Sequence, residues 1–123
     1  LVGGTIPAKF YMLRGFDGCI AVYDEAGYDA LMATLEPKLY QGPSQYKYIR
    51  KVMESVNELD VDSHGRITLG EAIAAKYKIT DSVLILGMIN HFEIWNPELY
   101  DQYMNSDDES YEELAERSAQ SNG

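Results

Sequence analysis

A fifteen-residue pattern recurs in this chain, and that recurrence restricts its fold more than any other feature. Gly15 to Asp29 (GFDGCIAVYDEAGYD) aligns without gaps on Gly87 to Asp101 (GMINHFEIWNPELYD). Ile20, Val22 and Tyr23 fall on Phe92, Ile94 and Trp95, and Tyr28-Asp29 falls on Tyr100-Asp101. Each copy reads as a turn, a strand and a helix start. Two strand–turn–strand–helix units in tandem predict an α+β fold, a small pseudo-two-fold β-barrel of interleaved hairpins with flanking helices. Upstream, Thr5-Ile6-Pro7 matches Thr68-Leu69-Gly70 in a register nine residues different. Relative to the second half, the first therefore lacks a helix and loop between Phe10 and Tyr11. It also lacks a counterpart of Asp62-x-x-x-Arg66, which would lie just before Thr5. A deletion through a small core would leave apolar faces unpaired, so the expectation is loops missing from this sequence.

The chain has 123 residues, 46% of them hydrophobic, and can bury one modest core or two small halves sharing one. No stretch has the length of a membrane span or reads as a signal peptide, so no membrane partner is expected. One cysteine, Cys19, has no intrachain disulfide partner, which suits a reducing compartment, and its neighbours Gly18 and Ile20 predict a core thiol. With only His64 and His91 beside it, a Cys/His zinc site is not expected, nor is any other cofactor. The formal net charge is −10, which argues against nucleic acid. Much of it is local: Asp107, Asp108, Glu109, Glu112, Glu113 and Glu116 crowd the end of the chain against Arg117. Charges more than about 8 Å apart are largely screened at physiological salt, so a basic surface elsewhere can still hold phosphate.

Along the chain, Thr5 to Phe10 reads as a strand end, a proline turn and a helix start, followed by strand Tyr11–Arg14. Asp17-Gly18 turns the chain into strand Cys19–Tyr23. Asp24 caps a helix with Tyr28, Leu31, Met32 and Leu35 at helical spacing, and Pro37 ends it. Gln41-Gly42-Pro43-Ser44 links to a second helix whose stripe is Tyr48 or Ile49, Val52, Met53 and Val56. Its Lys47, Arg50 and Lys51 form either a phosphate patch or, more simply, a solvated face. Leu59, Val61, Ile67 and Leu69 alternate across a turn as a half-buried hairpin. Helix Glu71–Tyr77, strand Val83–Leu86 and strand Phe92–Trp95 follow. Asn96-Pro97 starts a helix with Leu99, Tyr100 and Tyr103 inward. The tail prolongs that helix, with Ser118–Gly123 disordered. The predicted division is 1–54, a first half with linking helices, 55–105, a second half, and 106–123, an acidic, partly disordered tail.

Two apolar segments, Leu59-Asp60-Val61 and Ile67-Thr68-Leu69, flank Asp62-Ser63-His64-Gly65-Arg66. Gly65 permits a positive φ and a sharp turn that presents Arg66 outward. Asp62 can hold that turn through backbone N–H groups or pair with Arg66. Ser55, Glu58, Asp62, Gly65 and Arg66, with Phe92-Glu93-Ile94-Trp95, Ile6-Pro7-Ala8-Lys9-Phe10 and Arg14-Gly15-Phe16-Asp17-Gly18-Cys19, together resemble the MraZ family of bacterial transcription regulators, of the SpoVT/AbrB class. The resemblance spans residues 5 to 104. It departs from the family at the absent first Asp-x-x-x-Arg and at Gly70, where proline is usual. It implies two tandem AbrB-like swapped-hairpin halves. The implied protein is a cytoplasmic, nucleoid-associated homo-oligomer, arranged as a ring on short G-rich direct repeats of double-stranded DNA upstream of division and cell-wall genes. The DNA-binding candidates are then Arg66, His64, Gly65 and Lys9, with Asp62 supporting the turn. An arginine bonded bidentately to guanine is worth about 1–3 kcal/mol of discrimination.

One alternative uses the same residues. Asp60, Asp62, His64, Arg66, Thr68 and Glu71 occupy positions 1, 3, 5, 7, 9 and 12 of a calcium loop, with Gly65 at position 6. Against it stand the imidazole at position 5, the short helix after the loop and the lack of a paired second loop. No serine or cysteine nucleophile accompanies a histidine in a known signature, and no glycine-rich phosphate loop occurs. Neither an enzyme nor a small-molecule substrate is expected.

Overall fold

The structure, a computed structural model, describes residues 9–106 and 109–120. Strand β1 (Lys9–Arg14) pairs antiparallel with β2 (Ile20–Asp24), with Arg14 opposite Ile20 and Phe10 opposite Asp24. A 3-10 turn at Phe16–Gly18 joins them, with Asp17 and Gly18 both at positive φ (67° and 97°). Gly15 is required here by space, since a Cβ would run into the Cys19 sulfur. β2 is then buried over four consecutive residues, Ile20 to Tyr23. A strand apolar on both faces needs a layer on each side, and it has them. Ile20 and Val22 meet Met12, Leu59, Tyr77 and Ile94, while Ala21 and Tyr23 meet Leu13, Leu35, Ile49 and Val52.

Helices α1 (Glu25–Leu35) and α2 (Pro43–Glu54) build the second of these layers, joined by a 3-10 segment, Glu36–Tyr40. Asp24 caps α1, its carboxylate accepting from the Gly27 N–H at 2.7 Å. On α2 the buried residues are Ile49 and Val52, whereas Tyr48 and Met53 are exposed. Ser55 closes α2: its hydroxyl donates to the Val52 carbonyl at 2.6 Å and accepts from the Arg14 N–H at 3.0 Å, tying helix to strand.

β3 (Asn57–Asp60) crosses back to the outer edge of β1, placing Lys9 opposite Asp60 and Tyr11 opposite Glu58. After a turn and α3 (Glu71–Lys76), β4 (Leu84–Gly87) and β5 (Phe92–Trp95) form a second hairpin. β5 joins the first through β2, with Ala21 opposite Glu93, flanked by Ile20 opposite Ile94 and Val22 opposite Phe92. Of the residues that align in the sequence repeat, Ala21 and Glu93 face each other, and their neighbours pair in exchanged order about them. Asn96 caps α4 (Pro97–Met104), accepting from the N–H groups of Glu98 and Leu99.

Several expectations need correction. The sheet is open, in the order β3-β1-β2-β5-β4, rather than a closed barrel. After β3 the chain returns only through the single Val61–Ile67 bridge, so among the described residues no strand covers the outer edge of β4. Lys9 and Phe10 are strand, not the start of a helix, because both are paired with β2 or β3. β1 runs unbroken through Phe10-Tyr11, the place where the first half reads as lacking the helix and loop of the second. Residues 5 to 8 of that expectation lie outside the described residues. The tail does not prolong α4; it forms a separate helix, α5 (Tyr111–Gln120). Ser110 and Glu113 start it by bonding reciprocally to each other's N–H groups, both at 3.1 Å. Residues 118 to 120 are therefore helical rather than disordered, and 121 to 123 lie outside the described residues.

Cys19 is fully buried, which, with Glu93 nearby, pushes its thiol from 9.0 up to about 12. Burial also raises Tyr23 and Tyr77. Groups raised in the folded state stabilise it below their unfolded pKa and lose that contribution as pH rises toward the folded value. Stability in urea is therefore expected to hold to about pH 9 and to decline above it. Alkylation of Cys19 by iodoacetamide at pH 8 should be much slower than in the unfolded chain, because burial shields the sulfur and holds it as the thiol.

Candidate nucleic-acid interface

The turn between β3 and the bridge partner Ile67 projects from the sheet, and Asp62 to Arg66 are all exposed. Its geometry is set by one carboxylate. Asp62 Oδ1 accepts from the N–H groups of His64 and Arg66, both at 2.8 Å. The backbone closes the same ring, with Asp62 N–H donating to the Arg66 carbonyl and Gly65 N–H to the Asp62 carbonyl, each at 3.0 Å. Gly65 sits at φ +76°, the left-handed conformation that a Cβ would strain.

Asp62 Oδ1 serves these backbone donors, and the carboxylate forms no ion pair with Arg66 among the described residues. Among the described residues the ion pairs are Lys9–Glu58 and Arg117–Glu109, so the Arg66 guanidinium is presented to solvent uncommitted. Val61 and Ile67 anchor the base of the turn, with Ile67 and Leu69 packed against the core. The result is an exposed turn, fixed by its backbone bonds, that presents the Arg66 guanidinium beside an imidazole.

Lys9 lies at the same end of the sheet, opposite Asp60, but its ammonium is held by Glu58 at 3.3 Å. That hydrogen bond and charge raise its pKa. On α2, Arg50 lies over the Tyr46 ring at 4.5 Å, an arrangement that belongs to the helix surface rather than to the turn.

The calcium alternative is not assembled. Asp60 is in β3, Asp62 faces inward onto the turn's N–H groups, and Glu71 starts α3 beyond Gly70. Among the described residues no three histidine, cysteine or acidic side chains converge at metal-binding distance. A hairpin ends in the place where a calcium loop would have to wrap. Gly70 adopts φ +83°, which proline cannot reach, so the departure from the familiar pattern accompanies a different local chain path. Sequence reasoning gave Ser55 no role. Its only local signal is a hydroxyl immediately after an amphipathic helix.

The family described as "MraZ protein, putative antitoxin-like" matches residues 53–122, more than half of the chain and all of the turn. The chain belongs to the MraZ family. It is 32% identical over 114 residues to the transcriptional regulator MraZ of Caldanaerobacter subterraneus, covering 88% of this chain and 76% of that protein. It is 27% identical to the MraZ of Cytophaga hutchinsonii, over 86% of this chain and 70% of the relative. The MraZ of Saccharopolyspora erythraea is 26% identical, over 91% and 84%. The similarity to these MraZ proteins covers most of the chain, more than residues 53–122 alone.

Removing the Asp62 carboxylate is a direct check on the turn. Asp62→Ala is expected to cost about 1 kcal/mol in urea unfolding, the usual value of a lost side-chain cap. It should also speed hydrogen exchange at the His64 and Arg66 amides while leaving β2 protected.

Proposed function

We propose that this protein is a sequence-specific DNA-binding transcriptional regulator that reads duplex DNA with the Asp62–Arg66 turn. The observation that carries this is the exposed Arg66, in no ion pair among the described residues and held on a turn that Asp62 and Gly65 fix. A guanidinium presented on a rigid hairpin can bond a guanine edge bidentately or hold a phosphate. His64 and Gly65 shape the same tip, and Lys9 contributes positive charge beside it. The relatives' shared name, transcriptional regulator, supports this role.

The finer reading follows the resemblance. The targets are short G-rich direct repeats upstream of division and cell-wall genes, bound in the cytoplasm at the nucleoid. One arginine-bearing turn reads too few bases for specificity, so several copies act together. A ring of like-oriented subunits matches direct rather than inverted repeats. In the pseudo-two-fold reading, Ala21 opposite Glu93 marks the axis, and β3 crosses from the second half to β1 of the first. The symmetry-related strand would cover β4 and complete an AbrB-like barrel.

Two measurements test this together. Multi-angle light scattering should report a defined oligomer larger than a dimer. Binding to a duplex of G-rich direct repeats should weaken steeply with salt and be the same in EDTA and in calcium. A monomer whose affinity ignores salt, or binding that requires calcium, would overturn it.

A further inference from the structure

Away from the turn, a cavity of about 520 Å³ opens where the helical layer stops short of covering the sheet. Its floor is Leu13 and Ala21, side by side on β1 and β2, and its wall is Leu35 of α1 and Val52 of α2. Ala21 is small where the sheet is otherwise filled by large side chains, and α1 and α2 lie over β1 and β2. The space beside them is left open. Its volume is in the range of small-molecule pockets.

The polar groups at this cavity are arranged asymmetrically. Arg14, at the end of β1, and Lys51, one turn before Ser55 on α2, line it from the side where Ser55 ties strand to helix. Neither forms an ion pair among the described residues. Glu93 lies across the floor, opposite Ala21 and two strands from β1, about 10 Å away at normal strand spacing. Its carboxylate already accepts from the Trp95 indole N–H at 2.9 Å. Asp17, in the exposed 3-10 turn, is the other carboxylate at the rim.

We propose that this cavity binds an amphipathic organic anion, an apolar body against Leu13, Ala21, Leu35 and Val52 with its carboxylate or sulfonate between Arg14 and Lys51. The apolar lining supplies the burial, and Arg14 and Lys51, which form no ion pair among the described residues, supply the charge for the anionic end, with Arg14 beside Tyr77 of the same lining. The site does not depend on the DNA-binding role of the turn, which lies on another part of the sheet.

Decanoate is a suitable probe, with decan-1-ol as its uncharged counterpart. Titration of the full chain, followed by calorimetry and by amide shifts in two-dimensional NMR, should give saturable one-to-one decanoate binding. The shifts should centre on Leu13, Ala21, Leu35 and Val52. The exposed pair Arg14→Gln with Lys51→Gln should weaken decanoate by at least about tenfold, the loss of charge-assisted bonds. It should change decan-1-ol less than about twofold by the same arithmetic. Lys47→Gln, on α2 but outside the cavity, should bind as the unsubstituted chain does. Absence of saturable decanoate binding, shifts centred elsewhere, or equal binding by the double variant would overturn the proposal.

Discussion

Replacing Trp95 with alanine should lower the stability of this protein by about 3–5 kcal/mol, the range for truncating a large buried aromatic. Trp95 is 4% exposed and joins the second hairpin to α4. Its ring meets Tyr100 edge-on at 5.2 Å and stacks on Tyr103 at 6.0 Å. Its indole N–H also satisfies Glu93, so truncation leaves a half-buried carboxylate without that donor. A small domain holds only about 5–15 kcal/mol in total, so this loss consumes much of the margin. The chain has one tryptophan, and its fluorescence disappears with the substitution. Far-UV circular dichroism in urea is therefore the measurement, and a midpoint unchanged from the unsubstituted chain would mean that α4 does not depend on the indole. Trp95→Phe should recover part of the loss, because the ring packing survives and the Glu93 bond does not.

The second large effect concerns recognition. Arg66→Ala should weaken binding to a G-rich duplex by about 1–3 kcal/mol for each engaged turn, and so by more in an oligomer that engages several. Its folding should change little, since Arg66 is exposed and its backbone N–H, not its side chain, anchors the turn. Asp62→Ala should weaken binding as well, but by a different route. It leaves the guanidinium in place and loosens the turn that aims it, so affinity and amide protection fall together. Lys9→Ala should have a smaller effect than either, because its ammonium is already shared with Glu58.

How much of this was legible in the sequence depended on the range of the interactions involved. Asp24 before α1 and Asn96-Pro97 before α4 are local cap signals, and both helices start there. The run Ile20 to Tyr23 was legible as a strand, but its burial on both faces became visible only with the layers packed against it. The start of β1 was misread because Pro7 resembled a helix entry, whereas Lys9 and Phe10 are held by pairing with residues about fifty positions away. No local pattern encodes that pairing. At the tail, the acidic stretch reads as a continuation of α4, yet Ser110-x-x-Glu113 is a capping box, readable in four letters, that starts a separate helix. At the site, spacing identified Asp62, Gly65 and Arg66 but left open whether Asp62 served the backbone or the guanidinium. Only coordinates decide that, because both are within a carboxylate's reach. The cavity beside Ala21 had no sequence signal, since it arises from where one layer ends over another.

The central claim is that Arg66, held out by Asp62, reads DNA sequence. Fluorescence anisotropy of two labelled duplexes, one with several G-rich direct repeats and one with the same bases scrambled, tests it most directly. The unsubstituted chain should bind the repeats more tightly than the scrambled duplex. Arg66→Ala should erase most of that difference while keeping weak, salt-sensitive binding to both. Equal discrimination by the two proteins would contradict the account.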